Sequence, residues 1–304
     1  MSRYAVIDIG TNSMKMHVAR VMHGRMTVLG DYTEITRLGE GFHETKILTD
    51  DAIDRNVAQV EEFRIQAEEL GVEKIVAVGT MALRSAKNSD EFLEAVKKKS
   101  KMRIEIIPGE EEARLSYLAV LSGLGAQDGK LVIFDTGGGS TEFIFGKGEE
   151  IDRQFSLDIG SRRPTEEYCK TDPVTNEELE SMFEGLEKEF EDISGPVDVL
   201  VGMGGTVTSL GAVFHEMKIY DPEVIQGSTL PIKEVERQVK MYRARTIDKR
   251  ADTIGLMPKR ADVILAGASI VLTIMRKLGT EELIISDRGL RHGLMFDRFG
   301  RSHV

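Results

Sequence analysis

An α/β fold built from two similar halves is predicted by three features of the sequence. The first is a repeat. Residues 4–18, YAVIDIGTNSMKMHV, align without a gap on residues 131–145, LVIFDTGGGSTEFIF, so that Asp8 falls on Asp135, Gly10 on Gly137 and Ser13 on Ser140. The second is the alternation of helical-period segments with short apolar runs, which marks an α/β sheet. The third is size, since 304 residues leave room for about two domains.

In the repeated unit an apolar strand runs into an aspartate and a glycine turn, and a second strand follows. Gly137, Gly138 and Gly139 carry no Cβ, so backbone N–H groups can converge on an anion as a concave nest. Ser140 and Thr141 add hydroxyls. Asp135, closing a buried strand beside the nest, is placed to hold a divalent cation that neutralises phosphate oxygens. A single GGG is read equally well as a tight hairpin; the second copy favours two related domains facing each other across a phosphate site. This arrangement resembles the actin, sugar kinase and heat-shock ATPase superfamily. It implies an α/β protein of two actin-like (ribonuclease H-like) lobes with an interlobe phosphate cleft.

Composition narrows the setting. With 41% hydrophobic and 30% charged residues the chain reads as an ordinary soluble globular protein. The single Cys169 has no internal disulfide partner, and no basic stretch with an apolar region precedes Tyr4; a cytoplasmic location is expected. The longest apolar run, Val263 to Met275, has 13 residues, short of the roughly 20 a membrane helix needs, and is expected to be a core helix. A net charge of −11 argues against nucleic acid as a partner but not against a small anionic substrate, because charge is screened beyond about 8 Å. Acid concentrates between Glu177 and Asp192, eight acidic residues against one lysine, as on a solvated helix face. From Lys233 to Arg260 nine basic residues face four acidic, a run that solvation explains better than substrate contact.

Along the chain, Tyr4–Ile9, Lys15–Val21 and Arg25–Ile35 read as three strands, with a hairpin at His23-Gly24. Asp50–Leu70 follows in helical spacing, capped by Thr49 and ended at Gly71. Lys74–Val78 and Arg103–Ile107 are strands, with helices over Gly79–Ala86, Asp90–Lys99 and Glu110–Leu124. The glycines at 123, 125 and 129 loosen the chain, which places one domain at 1–126 and the second at 127–290, with a C-terminal helix, 291–304, rejoining the first. The second half repeats the plan: strands near 131–157, helices near 162–169 and 177–192, a strand at Val197–Val201, helices around Thr206, Lys233 and Ala261, and a last strand at Leu283–Ser286.

Seven motifs sharpen the resemblance. They are AVIDIGTNS at 5–13, VGTMALRSA at 78–86, PGEEEARLSYLAV at 108–120, VIFDTGGGSTE at 132–142, GMGGTVTSL at 202–210, RADVILAGA at 260–268 and SDRGLRHG at 286–293. On these the chain resembles the exopolyphosphatase and guanosine pentaphosphate phosphohydrolase family over essentially its whole length. The resemblance implies a phosphoanhydride hydrolase with Mg²⁺ or Mn²⁺ as cofactor and inorganic polyphosphate or guanosine pentaphosphate as substrate. No membrane partner is expected, and the sequence leaves the oligomeric state open, with a homodimer among the alternatives. Glu112 matches the family's catalytic carboxylate, able to orient a water and accept its proton. Residues 110, 111 and 112 differ by about 100° each around a helix, so one of the three glutamates points into the cleft, while Glu110 and Glu111 complement the helix dipole. Glu142 matches a carboxylate near the water and metal, although a strand residue facing solvent explains it as well, and Asp8 and Asp135 complete the metal set. Arg84 is a candidate phosphate clamp, since a planar guanidinium grips two oxygens, although a surface ion pair explains it as well. Phosphate contacts are expected from Thr11, Asn12 and Ser13, from Gly137, Gly138, Gly139 and Ser140, and from Gly204, Gly205 and Thr206 at a helix start, where close helix–strand packing is the alternative.

Three positions depart from the family pattern. Thr136 replaces an aliphatic residue, Thr11 stands where serine is usual, and His292 occupies a glutamate position. His292 is expected to cap or decorate a surface helix, because no second histidine lies at ligand spacing. No complete GxGxxG or GxxxxGK[ST] is present, which removes Rossmann and P-loop readings. Phosphate transfer to ADP and a nucleotide-gated binding module are the readings from other classes. The chain ends soon after SDRGLRHG, so short or medium polyphosphate is expected to be handled comparatively well.

Overall fold

A computed structural model describes residues 2–22, 25–40, 45–125 and 127–300. The expected reversal at His23-Gly24 and the last residues of the helix expected over 291–304 lie outside them. The chain divides into two compact units: residues up to Ser122 together with the segment from Leu290 form the first, and Gly123–Gly289 the second.

The first unit carries strands β1 (Ser2–Ile9), β2 (Met14–Met22), β3 (Arg25–Glu34), β4 (Lys74–Gly79) and β5 (Ile104–Ile106) in the order β3-β2-β1-β4-β5. The β1–β2–β3 meander is antiparallel, and β4 and β5 join it in parallel. Its helices are α1 (Asp50–Glu69), α2 (Met81–Ser85), α3 (Ser89–Ser100), α4 (Gly109–Leu124) and α12 (Leu290–Met295), the last continued by a π-type turn over Phe296–Gly300. The Thr49 side chain accepts the Ala52 N–H at 3.3 Å, and Gly71 lies at φ +69 just beyond α1, as the helix stop requires.

Side chains alternate between the faces of a strand, and the two faces of this sheet have different coverings. Ala5, Ile7, Ile9, Met14, Met16 and Val18 pack with Val57, Val60 and Phe63 of α1 and with Phe92 and Val96 of α3. Val6, Ala19 and Val78 pack with Ile107, with Leu115 of α4 and with Leu294 and Met295 of α12. In register, Asp8 faces Lys15 and Val6 faces His17, which in turn faces Asp31. Asp8, Lys15, His17 and Asp31 therefore share the face covered by α4 and α12.

The second unit repeats the topology with β6 (Leu131–Thr136), β7 (Thr141–Lys147), β8 (Glu150–Leu157), β9 (Val199–Met203), β10 (Thr229–Pro231) and β11 (Glu282–Ser286), in the order β10-β11-β9-β6-β7-β8. The meander β8-β7-β6 followed by the parallel pairs β6·β9 and β9·β11 copies the first sheet, and the three-residue β10 adds an antiparallel edge. Helices α5 (Arg162–Tyr168), α6 (Asn176–Glu189), α7 (Gly204–Phe214), α8 (Pro222–Ile225), α9 (Ile232–Arg243), α10 (Ile247–Ala251) and α11 (Ile264–Lys277) complete it. Every residue of α11 from Ile264 to Met275 is buried, as its unbroken apolar run predicts. Each large aliphatic residue so buried contributes about 1.5–3 kcal/mol. Among the described residues no helix is long and apolar enough to cross a membrane.

Cys169 ends α5 half-buried, and burial pushes its thiol up to about 11, with the Arg250 charge opposing the shift. A thiol protonated at pH 8 is a poor nucleophile. Iodoacetamide should therefore label the native protein slowly at pH 8 and much faster in urea; equal rates in both states would contradict the burial seen here.

Candidate functional site

Both glycine turns are closed by the same hydrogen bond. The Gly10 N–H donates to the Ser13 carbonyl at 3.1 Å, and the Gly137 N–H to the Ser140 carbonyl at 3.0 Å. A second segment braces each turn from outside. In the first unit the Arg37 N–H donates to Asn12 O at 2.9 Å and the Gly39 N–H to Thr11 O at 2.8 Å. In the second, Ser161 N–H donates to Gly137 O at 3.0 Å and Arg162 N–H to Gly138 O at 2.9 Å. Gly160 packs so tightly here that a Cβ would lie 2.5 Å from the carbonyl carbon of Gly138. Arg162 is exposed and its Nε lies 3.5 Å from the Cβ position of Gly138, which adds a cation beside the nest.

In the first unit Asp8 ends its strand on the face that α4 covers. It is 7% exposed, and burial raises its pKa, with Lys15 and then Arg291 opposing. A carboxylate so desolvated gains from a nearby cation. Arg84, on α2, donates through Nη1 to the Ile107 carbonyl at 2.9 Å and to Glu112 Oε2 at 3.0 Å. The candidate clamp and the candidate base are thus brought together. Glu111 points elsewhere, gripped by Arg114 through two bonds of 2.7 and 2.8 Å, and this guanidinium holds its carboxyl below the ordinary range. Arg114 also bonds Asp297 at 3.0 Å, which ties α4 to the C-terminal turn. Glu110 is exposed in the first turn of α4.

In the second unit Asp135 and Glu142 are direct partners across the antiparallel β6–β7 pair. Cβ atoms so placed lie about 5 Å apart, where two unit charges repel by about 3 kcal/mol at an effective dielectric of 20. A divalent cation held by both reverses that cost, and an all-oxygen donor set suits Mg²⁺ or Mn²⁺. Asp135 and Glu142 in the second unit, and Asp8 in the first, are each oxygen donors of the kind the expected metal takes; among the described residues the three are not gathered into one cluster of ligand atoms. Ser156 Oγ donates to Glu142 Oε1 at 3.1 Å and orients it.

The helix start at Gly204-Gly205 serves two side chains. Gly204 has φ +83, and a Cβ there would lie 1.9 Å from Asp135 Oδ1; at Gly205 a Cβ would lie 2.0 Å from Arg260 Nη2. The two glycines therefore admit a carboxylate and a guanidinium against the backbone. Burial lowers the pKa of Arg260, and Asp135 is the first group to oppose the shift. Thr206, in contrast, is buried with its methyl 2.7 Å from the Cβ position of Gly267, a packing role. Within the basic run, Arg237 pairs with Glu234 and Arg250 Nε donates to the Tyr242 carbonyl, so these serve structure.

Sequence reasoning left out Arg37, Gly39, Gly160, Arg162 and the individual place of Arg260. The last carried a signal, since it opens the RADVILAGA motif; the others act through backbone bonds, the close approach of Gly160 and the place of the Arg162 side chain, none of which a residue pattern marks.

The duplicated sheets, each with a strand-end aspartate before a closed glycine turn, define a two-lobed α/β protein of the actin-like class. A sequence model of the Ppx/GppA phosphatase family matches residues 17–302, and the chain belongs to that family. It is similar to the crystal structure of the type II variant of the Aquifex aeolicus Ppx/GppA phosphatase, with 37% identity and a TM-score of 0.90 over 98% of this chain and 100% of that one. Exopolyphosphatase 2 of Mycobacterium tuberculosis is 30% identical over 320 residues, covering 99% of both proteins. The bifunctional 3-dehydroquinate synthase/phosphatase of Fusobacterium nucleatum is 32% identical, and the guanosine-5′-triphosphate,3′-diphosphate pyrophosphatase of Photobacterium profundum 31%; the match covers 44% and 59% of their lengths. The chain therefore spans about half the length of these two relatives.

Gly204→Ala should cost at least about 1 kcal/mol in urea unfolding, because it meets both a left-handed φ and the Asp135 carboxylate. Gly139→Ala, with nothing within 4 Å of the new methyl, should stay within about 0.5 kcal/mol of the parent. Equal losses would contradict the packing described for Gly204.

Proposed function

We propose that this chain is an exopolyphosphatase that releases terminal orthophosphate from inorganic polyphosphate by metal-assisted attack of water. The observation that carries the reading is the Arg84–Glu112 pair at 3.0 Å, which joins α2 to α4 within the first unit. Similarity to an exopolyphosphatase over nearly the full length of both chains supports it.

Each residue has a definite task in this proposal. The N–H groups of the Gly137–Ser140 turn and those of Thr11, Asn12 and Ser13 donate to phosphate oxygens. The start of α7 at Gly204-Gly205 adds backbone donors. Arg84 grips two oxygens of the phosphoryl group, and Arg260 and Arg162 add positive charge near the second turn. Glu112 orients the attacking water and accepts its proton as the new phosphorus–oxygen bond forms at the terminal phosphorus; the shortened polyphosphate chain leaves with the electron pair of the broken anhydride bond on its bridging oxygen. Glu142 positions the same water. Asp8, Asp135 and Glu142 are the residues that would hold Mg²⁺ or Mn²⁺, which would supply positive charge against phosphate oxygens; without it each phosphate charge would meet a carboxylate with a repulsion of about 4 kcal/mol at 4 Å and a dielectric of 20.

A second reading, removal of the 5′ phosphate of guanosine pentaphosphate, rests on the similarly distant guanosine-5′-triphosphate,3′-diphosphate pyrophosphatases among the relatives. Orthophosphate release from long polyphosphate, tripolyphosphate and guanosine pentaphosphate, assayed in parallel with Mg²⁺, separates the two. The proposal expects polyphosphate to be the better substrate by kcat/KM; a preference for guanosine pentaphosphate would replace it.

Glu112→Gln should lower kcat by about 10² to 10⁴-fold with little change in KM, since the amide keeps the shape but cannot take the proton. Glu111→Gln should retain most turnover and lose stability instead, because its carboxylate serves Arg114. Wild-type kcat in Glu112→Gln, or greater damage from Glu111→Gln, would overturn the assignment. Chelation should abolish activity in the parent; full activity in excess chelator would remove the metal from the proposal.

A further inference from the structure

We propose that His17, Asp31 and His292 form a binding site for a divalent transition-metal ion of the zinc type, distinct from the oxygen-donor carboxylates assigned to Mg²⁺. The fold assembles the three from distant parts of the sequence. The β2–β3 register sets His17 directly opposite Asp31. Helix α12 then lays His292 over the same face, its ring centroid 4.6 Å from that of His17. His292 is thus neither a cap nor a surface decoration, since its side chain is only 13% exposed. The second histidine that sequence spacing failed to supply comes from β2.

The geometry suits a four-coordinate ion. His17 Nδ1 lies 3.4 Å from Asp31 Oδ2, and His292 Nε2 lies 3.3 Å from the same oxygen. One ligand atom from each residue can be chosen so that all three lie within 4.8 Å of one another. Bonds of about 2.0–2.1 Å in a tetrahedron place neighbouring ligand atoms about 3.3–3.4 Å apart. Both measured separations therefore equal a tetrahedral edge. Two imidazoles and a carboxylate are a donor set for Zn²⁺ and its neighbours Co²⁺ and Ni²⁺, whereas Mg²⁺ demands six oxygens.

An independent observation points to a ligand at this place. His17 is 4% exposed, and its Nδ1 is buried without a hydrogen bond, the approach to Asp31 falling short of one. A buried polar atom left so is uncommon and calls for a partner. Coordination through Nδ1 supplies one.

Arg291 sets the strength of the site. Its Nε donates to Asp31 Oδ1 at 2.7 Å, which holds the carboxylate with Oδ2 toward the histidines, as outer hydrogen bonds do for ligating carboxylates. Its Nη2 contact to Oδ2 at 3.1 Å must loosen when an ion arrives, and its positive charge opposes a dication. The site is accordingly weaker than a closed four-ligand zinc centre. The Asp31 side chain is 30% exposed and gives access for the ion and for a water as fourth ligand. An ion there cross-links β2, β3 and α12, so it should stabilise the first unit by linkage.

The test uses the full chain, stripped with chelator and kept in excess Mg²⁺ so that oxygen-donor sites are filled. Zn²⁺ alone is titrated against a chromophoric chelator and in thermal unfolding, and Co²⁺ is followed by its visible absorption. One equivalent should bind, raise Tm and give the strong d–d bands of a four-coordinate ion. His292→Gln and Asp31→Asn, two independent variants each checked for parental secondary structure by circular dichroism, should each weaken Zn²⁺ binding at least 10-fold and remove the Co²⁺ bands. Cys169→Ser should change neither. No uptake by the parent, uptake unaltered in either amide variant, or loss of uptake in Cys169→Ser would each overturn the proposal.

Discussion

Chain reversal immediately after a strand-end carboxylate is the constraint on which the rest of the structure depends. It is met twice by one device, a glycine N–H bonded back to the serine carbonyl three residues on, at Gly10–Ser13 and at Gly137–Ser140. The reversal starts each meander, fixes the register that sets Asp8 against Lys15 and Asp135 against Glu142, and leaves the aspartate at the rim of its sheet. Bracing from Arg37 and Gly39 in one unit and from Ser161 and Arg162 in the other satisfies the turn carbonyls. Turns closed on both sides hold their remaining N–H groups in a fixed direction, which is what preorganised anion binding demands.

Opposed charges are arranged differently in the two units. In the first, Arg84 and Glu112 neutralise each other and Glu111 is claimed by Arg114, so neighbouring glutamates on one helix turn have separate partners. In the second, two carboxylates face each other on the ladder and Arg260 is lodged against the backbone of Gly205 beside Asp135. The overall charge of −11 conveys none of this. Local pairing, not net charge, makes a family of anion-handling enzymes compatible with an acidic chain.

Much of this was legible in the sequence because the repeat is written in residues that side-chain physics restricts. Asp8 and Asp135 on one alignment column foretold two units that open on the same strand–turn–strand plan; the order β3-β2-β1-β4-β5 and its copy came from the structure. Thr49 and Gly71 foretold the bounds of α1, and the helical angle between Glu111 and Glu112 foretold that they would diverge. What stayed hidden depends on contacts far apart in sequence or on backbone bonds alone. β10 has three residues, too few for a period. Gly160 and Gly39 are ordinary glycines until the turn they press against is in view. His292 read as a surface residue because its partner His17 lies at the other end of the chain, and only the sheet register joins them.

In the proposed reaction water, directed by groups of this chain, takes the terminal phosphoryl group of polyphosphate. The most direct measurement is the isotope content of orthophosphate released in ¹⁸O-water, with Mg²⁺ and ADP both present. The account predicts one solvent oxygen in each orthophosphate released and no ATP. ATP formed at the expense of polyphosphate, with orthophosphate release absent, would show that ADP and not water is the acceptor and would contradict it.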